Sequence, residues 1–570
     1  MKTVSESAST SEAGFVPFPE EAVRRYRAVG YWSDRTLAQQ FRAVADAYPD
    51  RPAVLTADAC LTYAELDRRS DRIAVGLSAL GLRPGDRVLM QVTNRLWTVL
   101  SWYGLLKAGA VPVATLAQHR RHEIVEIARQ TAPVAHLVEP GFASHDLVAL
   151  ASETARCQPT LRWLLTIGAG RPSAGAYAVE ELESAHPGGG GTARSVVEDI
   201  QRAVPAESLA VLQLSGGTTS APKLIPRLHT EYWYNARAVA EANGLDATGC
   251  FAHLLPMVHN AGIVSGLHAA HAVGGCFALG APDPTQLRAM APHITHMTLS
   301  PSLATMVLDN PGLRDALCSL RIVNWVLGPL TAEIVAAFEN PSCRVIQSFG
   351  MGEGLCMVTP LSAPPEIRHR TVGAPVSPLD EVRVYEPGTE IPVPPGGRGE
   401  LCARGPYTIR GYFRAPERDA EAFTSDGFYR TGDVVVEVRS GDRSCYALED
   451  RLKDLINRGG EKVNAAEIEH LLIRHPSVER VAVVAMPDER LGERSCAFVV
   501  PRPGAQAPDL AEVQRFLDGI GVAKFKWPER IEACGEFPMT NVSKIDKRAL
   551  RRRIADILHA EHHHGSATSC

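Results

Sequence analysis

The segment LQLSGGTTSAPKLIPR most constrains the fold, because an apolar run there stops abruptly at a stretch rich in glycine and hydroxyl side chains. The run ends at Leu214, and residues 215–223 close on Lys223. Glycines let backbone N–H groups approach a polyphosphate, hydroxyls add donors, and the lysine supplies a compact positive charge. The sequence therefore predicts a buried strand that carries a phosphate-binding loop. It is not a Walker A loop, because Pro222 precedes the lysine and Leu224 follows it.

Short apolar runs alternate with helix-like stretches along most of the chain. Runs at 53–55, 87–91 and 110–113 are predicted strands, and residues 63–80 are a predicted helix. This alternation predicts layered α/β architecture. The Gly-, Ser- and Pro-rich residues 168–194 are predicted to form a surface loop.

A chain of 570 residues exceeds one ordinary hydrophobic core, so several domains are expected. The pattern changes near residues 448–454. A predicted helix (465–474), strand (478–485) and helix (509–517) follow, which indicate a small C-terminal domain.

Composition excludes several functional classes. A net charge of −5 offers no basic field for nucleic acid. The N-terminus lacks the apolar run of a secretory signal, and no run of about 18 apolar residues occurs, so we expect a cytoplasmic protein with no membrane association. Twelve cysteines without a CxxC pair predict reduced thiols and no structural metal, and the run His562–His564 is expected to be a solvated tail.

Four more motifs follow the loop in order. They are FGMGEG (349–354), YRTGD (429–433), DRLKDLINRGGEKV (450–463) and PMTNVSK (538–544). Together with SGGTTSAPK they resemble the phosphate, adenine, ribose, hinge and catalytic-lysine motifs of the adenylate-forming superfamily, which includes acyl-CoA synthetases and nonribosomal adenylation domains. The resemblance extends from about Trp32 to Arg553, and five ordered motifs are jointly specific.

The resemblance implies a large N-terminal domain of layered α/β subdomains and a small mobile α+β C-terminal domain. The expected boundaries are an ATP- and acid-binding domain at 1–449, a hinge at 450–454, and a mobile domain at 455–570 that carries the catalytic lysine and a disordered tail. Within the superfamily, GFVPFP, GYW, RGPYTIRGYF and INRGGEKV resemble stand-alone aryl-acid AMP ligases of the 2,3-dihydroxybenzoate and salicylate type.

This likeness implies that ATP activates an aromatic or heteroaromatic acid as acyl-AMP, with release of pyrophosphate. A phosphopantetheine thiol of a carrier protein, supplied in trans, would then take the acyl group in siderophore or nonribosomal peptide biosynthesis. Mg²⁺ would be the metal cofactor. The reaction needs positioning and stabilisation of spreading negative charge more than a nucleophilic side chain.

Site roles follow from the same resemblance. Lys544, His259 and Lys223 are the expected catalytic residues, Glu353 is the expected Mg²⁺ ligand, and Lys453 and Asp454 are the expected hinge. The expected nucleotide-binding residues are Ser215, Gly216, Gly217, Thr218, Thr219, Gly328, Phe349, Gly350, Met351, Asp433 and Arg451. Lys544 would act on the carboxylate and α-phosphate. The small domain would later swing so that the thiol reaches the acyl group, and Gly459 and Gly460 would let the pantetheine arm pass close to the backbone.

The expected acid pocket contains His259 beside the carboxylate and Asn260 facing an ortho substituent. Its other members are Ala261, Ser265, Leu327, Ser348 and Cys356. Dihydroxybenzoate enzymes typically carry Tyr at the position of Ala261, Val at those of Ser348 and Cys356, and Gly at that of Leu327. These differences leave the identity of the acid open, and a substituted anthranilate, a hydroxypicolinate and a quinaldate are all physically reasonable.

Two alternatives remain open. One is an acyl-CoA synthetase that uses free coenzyme A, including one for fatty acids, although His259 and Asn260 place polar groups where an apolar channel would lie. The other is a decayed binding protein, since Ser220, Asp450 and Ser543 stand where the family usually has glycine. Lys223, Glu353, Asp433, Arg451 and Lys544 are all retained, which argues against decay.

Overall fold

The structure is a computed structural model that describes residues 14–168, 175–185, 190–215, 222–327, 330–451, 455–538 and 545–566. It has a large N-terminal domain and a smaller C-terminal one, each of mixed α/β composition, which confirms the predicted fold class. In the part of the chain that is described, no helix is both long and apolar enough to cross a bilayer.

Helices and strands alternate through both domains. The helices are α1 Glu20–Ala28, α2 Leu37–Ala47, α3 Tyr63–Leu80, α4 Leu96–Lys107, α5 Arg121–Thr131, α6 Leu147–Cys157, α7 Val179–Ser184, α8 Gly190–Arg202, α9 His229–Ala242, α10 Ala269–Ala272, α11 Pro284–Met290, α12 Pro301–Leu308, α13 Leu313–Ala316, α14 Ala332–Phe338, α15 Pro365–Arg370, α16 Pro416–Ala422, α17 Ala465–Leu472, α18 Leu510–Gly519 and α19 Lys547–Ser566. A π-helix spans Gly262–His268, and 3-10 turns span Ala291–His293 and Lys524–Lys526.

The strands are β1 Pro52–Leu55, β2 Cys60–Thr62, β3 Arg87–Val92, β4 Val111–Leu116, β5 Ala135–Val138, β6 Trp163–Thr166, β7 Ala176–Ala178, β8 Leu209–Ser215, β9 Lys223–Leu228, β10 Cys250–His253, β11 Cys276–Leu279, β12 His296–Leu299, β13 Ile322–Trp325, β14 Arg344–Gly350, β15 Cys356–Val358, β16 Ala374–Pro375, β17 Glu381–Tyr385, β18 Arg398–Arg404, β19 Tyr429–Ser440, β20 Arg443–Arg451, β21 Leu455–Arg458, β22 Glu461–Asn464, β23 Val478–Asp488, β24 Gly492–Pro501 and β25 Arg530–Ala533.

Two mostly parallel sheets form the body of the large domain. One has the strand order β7-β6-β5-β3-β4-β8-β9, and the other has the order β16-β15-β14-β13-β12-β10-β11-β1-β2. The antiparallel sheet β17-β18-β19-β20 completes this domain, and the sheet β22-β21-β24-β23, with β25 beside β24, forms the small one. The central strands are buried, as expected for sheets covered by helices on both faces.

Local sequence signals set several element boundaries. Helix α3 starts after Thr62, whose hydroxyl accepts from Glu65 N while the Glu65 carboxylate accepts from Thr62 N. It ends at Gly81, which has φ +111°, a conformation that favours glycine. The helix predicted at 63–80 and the strand predicted at 87–91 are therefore confirmed closely.

The surface loop predicted at 168–194 is wrong in part. Among the described residues of this stretch, β7, α7 and the start of α8 are regular structure. Strand β7 extends the first sheet at its edge beside β6. The glycine run in HPGGGG obscured α8, whose buried Ala193 and Val197 supply the periodic apolar face.

Candidate active site

Several predicted site residues follow the carboxyl ends of parallel strands. Strand β10 leads to His259, β13 to Leu327, and β14 contains Ser348, Phe349 and Gly350. In open α/β sheets, ligands bind in the crevice beyond these strand ends. The fold thus brings the predicted acid-pocket and adenine segments to one edge of one sheet.

Lys223 and Glu353 meet through a tyrosine that the sequence analysis did not single out. Lys223 Nζ lies 3.1 Å from the Tyr412 hydroxyl, and that hydroxyl donates to Glu353 Oε1 at 2.8 Å. The Tyr429 hydroxyl lies 3.0 Å from the same oxygen of Tyr412. Burial raises the pKa of Tyr412 well above its usual value, so it remains a neutral hydrogen-bonding bridge. Tyr412 thereby links the Lys223 ammonium to the Glu353 carboxylate.

Buried Arg227 ties the strand after the phosphate loop to the FGMGEG segment. Its guanidinium donates to the Gly352 carbonyl at 2.8 Å and to the Tyr407 carbonyl at 3.2 Å. A bidentate pair with Glu231, at 2.9 and 2.7 Å, balances its charge. Because both charges are buried, loss of either would leave the other uncompensated. Arg227 therefore fixes the backbone on which Glu353 stands.

The predicted ribose residues lie side by side. Asp433 on β19 and Arg451 on β20 are direct cross-strand partners, although only the backbone of Arg451 is described. Asp433 is largely buried, and its backbone N–H donates to Thr431 Oγ1. Phe349 and Met351 pack against the cluster that contains Leu355 and Met357, next to this sheet.

Asn260 has a defined amide orientation. Its side chain lies 3.4 Å from the Met351 carbonyl and 2.9 Å from the Tyr232 hydroxyl. A backbone carbonyl only accepts hydrogen bonds, so the amide atom facing Met351 is Nδ2 and the atom facing Tyr232 is Oδ1. Gln213 Nε2 donates to the same hydroxyl at 3.1 Å, which leaves the Tyr232 proton for Asn260. An amide NH₂ has two donors, and the Met351 carbonyl is the described acceptor for one of them.

Most of the other predicted pocket residues lie just before and on the π-helix Gly262–His268 and on strands β14 and β15. Ala261 directly follows Asn260, and Ser265 lies one turn later on the π-helix Gly262–His268. Cys356 pairs with Gly350 across β14 and β15, and its buried Sγ accepts from Asn235 Nδ2 at 3.5 Å. Ser348 Oγ is buried, and no described group bonds to it. His259 is exposed, and its carbonyl accepts from Ile263 N.

Leu327 lies where the two domains meet. It has φ +72°, which is costly for a residue with a side chain. Its carbonyl accepts from Asn457 Nδ2 of the small domain at 2.6 Å. A Cβ built on Gly460 would come within 2.8 Å of Leu327 Cδ1, so the hairpin β21–β22 packs closely here. No motif in the sequence predicts this contact between Leu327 and the small domain.

Part of the predicted site lies outside the described residues. These positions are Gly216, Gly217, Thr218, Thr219, Gly328, Lys453, Asp454 and Lys544, and Ser220 and Ser543 fall there as well. The backbone alone is described at Ser215, where β8 pairs with Lys223 of β9. The predicted roles of all of these residues remain predictions.

Two family models and a curated relative match most of the chain. A family model described as AMP-binding enzyme matches residues 41–413, and one described as AMP-binding enzyme C-terminal domain matches 467–544. The 2,3-dihydroxybenzoate-AMP ligase of Bacillus subtilis is 38% identical, over 96% of this chain and 98% of its own length.

Two mycobacterial proteins are similar over the same extent. A protein of Mycobacterium tuberculosis named salicyl-AMP ligase / salicyl-S-ArCP synthetase is 38% identical, over 95% of this chain and 94% of its own. The apo structure of MbtA from Mycobacterium smegmatis has a TM-score of 0.70 and 40% identity, and the match covers 95% of this chain and 99% of that one.

Proposed function

The chain belongs to the AMP-binding enzyme family, and on that premise we propose that it is an aryl-acid AMP ligase. It joins an aromatic or heteroaromatic carboxylic acid to ATP, giving acyl-AMP and pyrophosphate. It then transfers the acyl group to the phosphopantetheine thiol of a carrier protein in siderophore or nonribosomal peptide biosynthesis. The names of relatives that match nearly the whole chain support this assignment.

In the first half-reaction, a carboxylate oxygen attacks the α-phosphorus and the bond to pyrophosphate breaks. Lys223 lies on the strand beside the phosphate loop and meets the charge that builds up on the departing oxygens. Glu353 offers the hard oxygen ligand that Mg²⁺ prefers, and its fixed hydrogen bond from Tyr412 orients it, so the residues present fit that ion. When bound, Mg²⁺ neutralises phosphate charge.

In the second half-reaction, the thiol sulfur attacks the acyl carbonyl, AMP leaves with the electron pair of the cleaved C–O bond, and the thiol proton passes to solvent. The second step needs an acceptor thiol near the acid pocket. The hairpin β21–β22, which packs on Leu327 through Gly460, lies at that place.

We infer the class of acid from the orientation of the Asn260 amide. Its amide offers a donor, so the substituent ortho to the carboxylate must accept a hydrogen bond. The oxygen of an ortho hydroxyl and the ring nitrogen of a picolinate or quinaldate both accept. The amino nitrogen of anthranilate is a poor acceptor because its lone pair is conjugated with the ring. We infer that ortho-hydroxy and ortho-aza acids are substrates and that anthranilate is rejected.

Acid-dependent ATP–pyrophosphate exchange tests this assignment with salicylate, 2,3-dihydroxybenzoate, 3-hydroxypicolinate, quinaldate, anthranilate and laurate. We expect exchange with one or more ortho-acceptor acids and none with laurate. A site that hydrogen-bonds its substrate rejects analogues that lack the bond, so we expect at least tenfold weaker kcat/KM for anthranilate. Exchange with laurate alone would indicate a fatty acyl-CoA synthetase, and no exchange with any acid would indicate a binding protein.

The variant Tyr232→Phe gives a matched test of the amide orientation. It removes the hydroxyl that holds Oδ1 of Asn260 but keeps the ring, so the amide can turn and the preference against anthranilate should shrink by roughly tenfold. Tyr234→Phe is the control, since the hydroxyl of Tyr234, which also lies on α9, bonds Ser377 rather than Asn260. An unchanged preference in Tyr232→Phe would contradict the proposed role of Asn260.

A further inference from the structure

A buried charge cluster joins the two domains away from the acid pocket. Lys526, in the 3-10 turn of the small domain, is 6% exposed, and Glu123 on α5 of the large domain is fully buried. Lys526 Nζ lies 3.2 Å from Glu123 Oε1 and 3.0 Å from Glu467 Oε1 of α17. Glu123 Oε1 also accepts from the backbone of Ala523 at 3.3 Å. Glu123 is one of several links between the domains here, since Arg120 also pairs with Asp518 and His122 N donates to the Gly521 carbonyl at 3.2 Å.

The bond between Lys526 and Glu123 depends on how the two domains are arranged. Lys526 and Glu467 both belong to the small domain and move together, whereas Glu123 belongs to the large domain. Burial alone would lower the pKa of Lys526, but the two carboxylates raise it, and Lys526 likewise keeps the pKa of Glu123 below its usual value despite burial. Lys526 and Glu123 therefore favour the charged state here, whereas burial raises the pKa of Glu467 above its usual value. A buried charge that loses its partner is costly.

The same arrangement places one side of the small domain against the large domain. Ile456, Val522 and Phe525 pack together on that side of the sheet with Val483 of β23. Phe537 and Ile545, which flank the segment containing Lys544, pack on the other side with Val484. Successive residues of a strand face opposite sides of a sheet, so these two groups lie on opposite faces.

We propose that Glu123 is a positioning residue for acyl transfer: by binding Lys526, it stabilises the domain arrangement that holds the β21–β22 hairpin against Leu327. This proposal rests on the proposed two-step function. Glu123 contacts neither the acid nor the nucleotide in this role. It acts through the small domain, and we expect it not to be required while acyl-AMP forms, because the resemblance assigns that step to Lys544, which follows Phe537 and precedes Ile545 in the sequence.

The test compares the two half-reactions in Glu123→Gln. Glutamine has nearly the same shape and can still accept from Arg120 N at the start of α5, where Glu123 caps the helix at 3.0 Å. We expect acid-dependent pyrophosphate exchange to stay within about twofold of the wild type. Single-turnover transfer from enzyme-bound acyl-AMP should fall about tenfold, with the thiol supplied as coenzyme A or on a phosphopantetheinylated aryl carrier domain.

Glu126→Gln is the matched control, because Glu126 lies on the same helix and pairs with Arg129 of that helix at 2.7 Å. It should leave both half-reactions unchanged. Lys526→Gln removes the same contact from the small-domain side and should reproduce the selective loss, which covers the case in which one variant is unstable.

Three results would overturn the proposal: equal loss of both half-reactions in folded Glu123→Gln and Lys526→Gln, no loss in either, or the same loss in Glu126→Gln. Failure of the proposed function has a different signature, since the wild type itself would then give no exchange with any aryl acid.

Discussion

At the scale of single residues, the site depends on buried polar groups whose hydrogen-bond partners fix their orientation. Tyr412 joins Lys223 to Glu353, and the amide of Asn260 is held by Tyr232 and the Met351 carbonyl. None of these bonds joins neighbours in sequence. Motifs predicted Lys223, Glu353 and Asn260. Arg227 and Tyr412 also lie within quoted segments, and Tyr232 does not, but in each case only the fold reveals which groups they bond.

Asp380 is a buried carboxyl whose protonation should be visible in stability. Its Oδ2 accepts from the Tyr407 hydroxyl and from Ser377 N, whereas Oδ1 is buried against Gly405 and no described group bonds to it. Burial raises the pKa of Asp380 to about 8. The unfolded carboxyl titrates at about 4. Between these values the folded state keeps a proton that the unfolded state has lost, so stability falls as pH rises towards 8.

We therefore expect Asp380→Asn, which cannot ionise, to gain stability relative to the wild type as pH rises. Thermal unfolding at pH 5.5, 7 and 8.5 measures this, and the difference in Tm should grow across the series. A difference in Tm that is the same at every pH would show that Asp380 ionises normally in the folded protein.

At the scale of elements, prediction succeeded where the signals are local. The capping box of Thr62 and Glu65 and the glycine after Leu80 define α3 without reference to any other part of the chain. The apolar run at 478–485 likewise lies within β23. The loop predicted at 168–194 was wrong because composition outweighed periodicity in α8, and the hairpin β21–β22 was predicted from a motif without its contact at Leu327.

Leu327 provides a test of strain at the end of β13. A residue with a side chain in the left-handed region costs about 1 to 2 kcal/mol, which glycine does not. Leu327→Gly removes that strain, whereas Leu327→Ala keeps it and loses the same packing on Gly460.

We therefore expect Leu327→Gly to be more stable than Leu327→Ala by about 1 kcal/mol, the reverse of the usual order of the two residues. Denaturant unfolding of the two variants measures the difference. If Leu327→Ala were the more stable, φ at this position would not be a source of strain.

At the scale of the whole molecule, the proposed function assigns two chemical steps to two faces of one small domain. The hairpin face contacts the large domain through Leu327 and Glu123, and the face that carries Phe537 and Ile545 flanks the segment with Lys544. The sequence predicted both motifs and a hinge between the domains. It did not reveal the Glu123–Lys526 contact, because a glutamate and a lysine far apart in the chain have no pattern that pairs them.

We expect Lys544→Ala to abolish adenylate formation and to leave transfer from preformed acyl-AMP largely intact, because a lysine is needed only where charge builds up on the carboxylate and α-phosphate. Pyrophosphate exchange measures the first step, and thioester formation from synthetic acyl-AMP measures the second. The opposite result is expected for Glu123→Gln, which should keep adenylate formation and lose transfer. Equal loss of both steps in Lys544→Ala would assign the lysine to both.

The Glu123–Lys526 contact also limits how such enzymes can be recombined. A small domain grafted from a relative that lacks a lysine at position 526 would leave the buried carboxylate of Glu123 without the cation that balances it. A chimera built at the hinge would then make acyl-AMP and stall before unloading it. When small domains are exchanged between such ligases, α5 should therefore be exchanged with them. The crossover point then lies in the large domain rather than at the hinge.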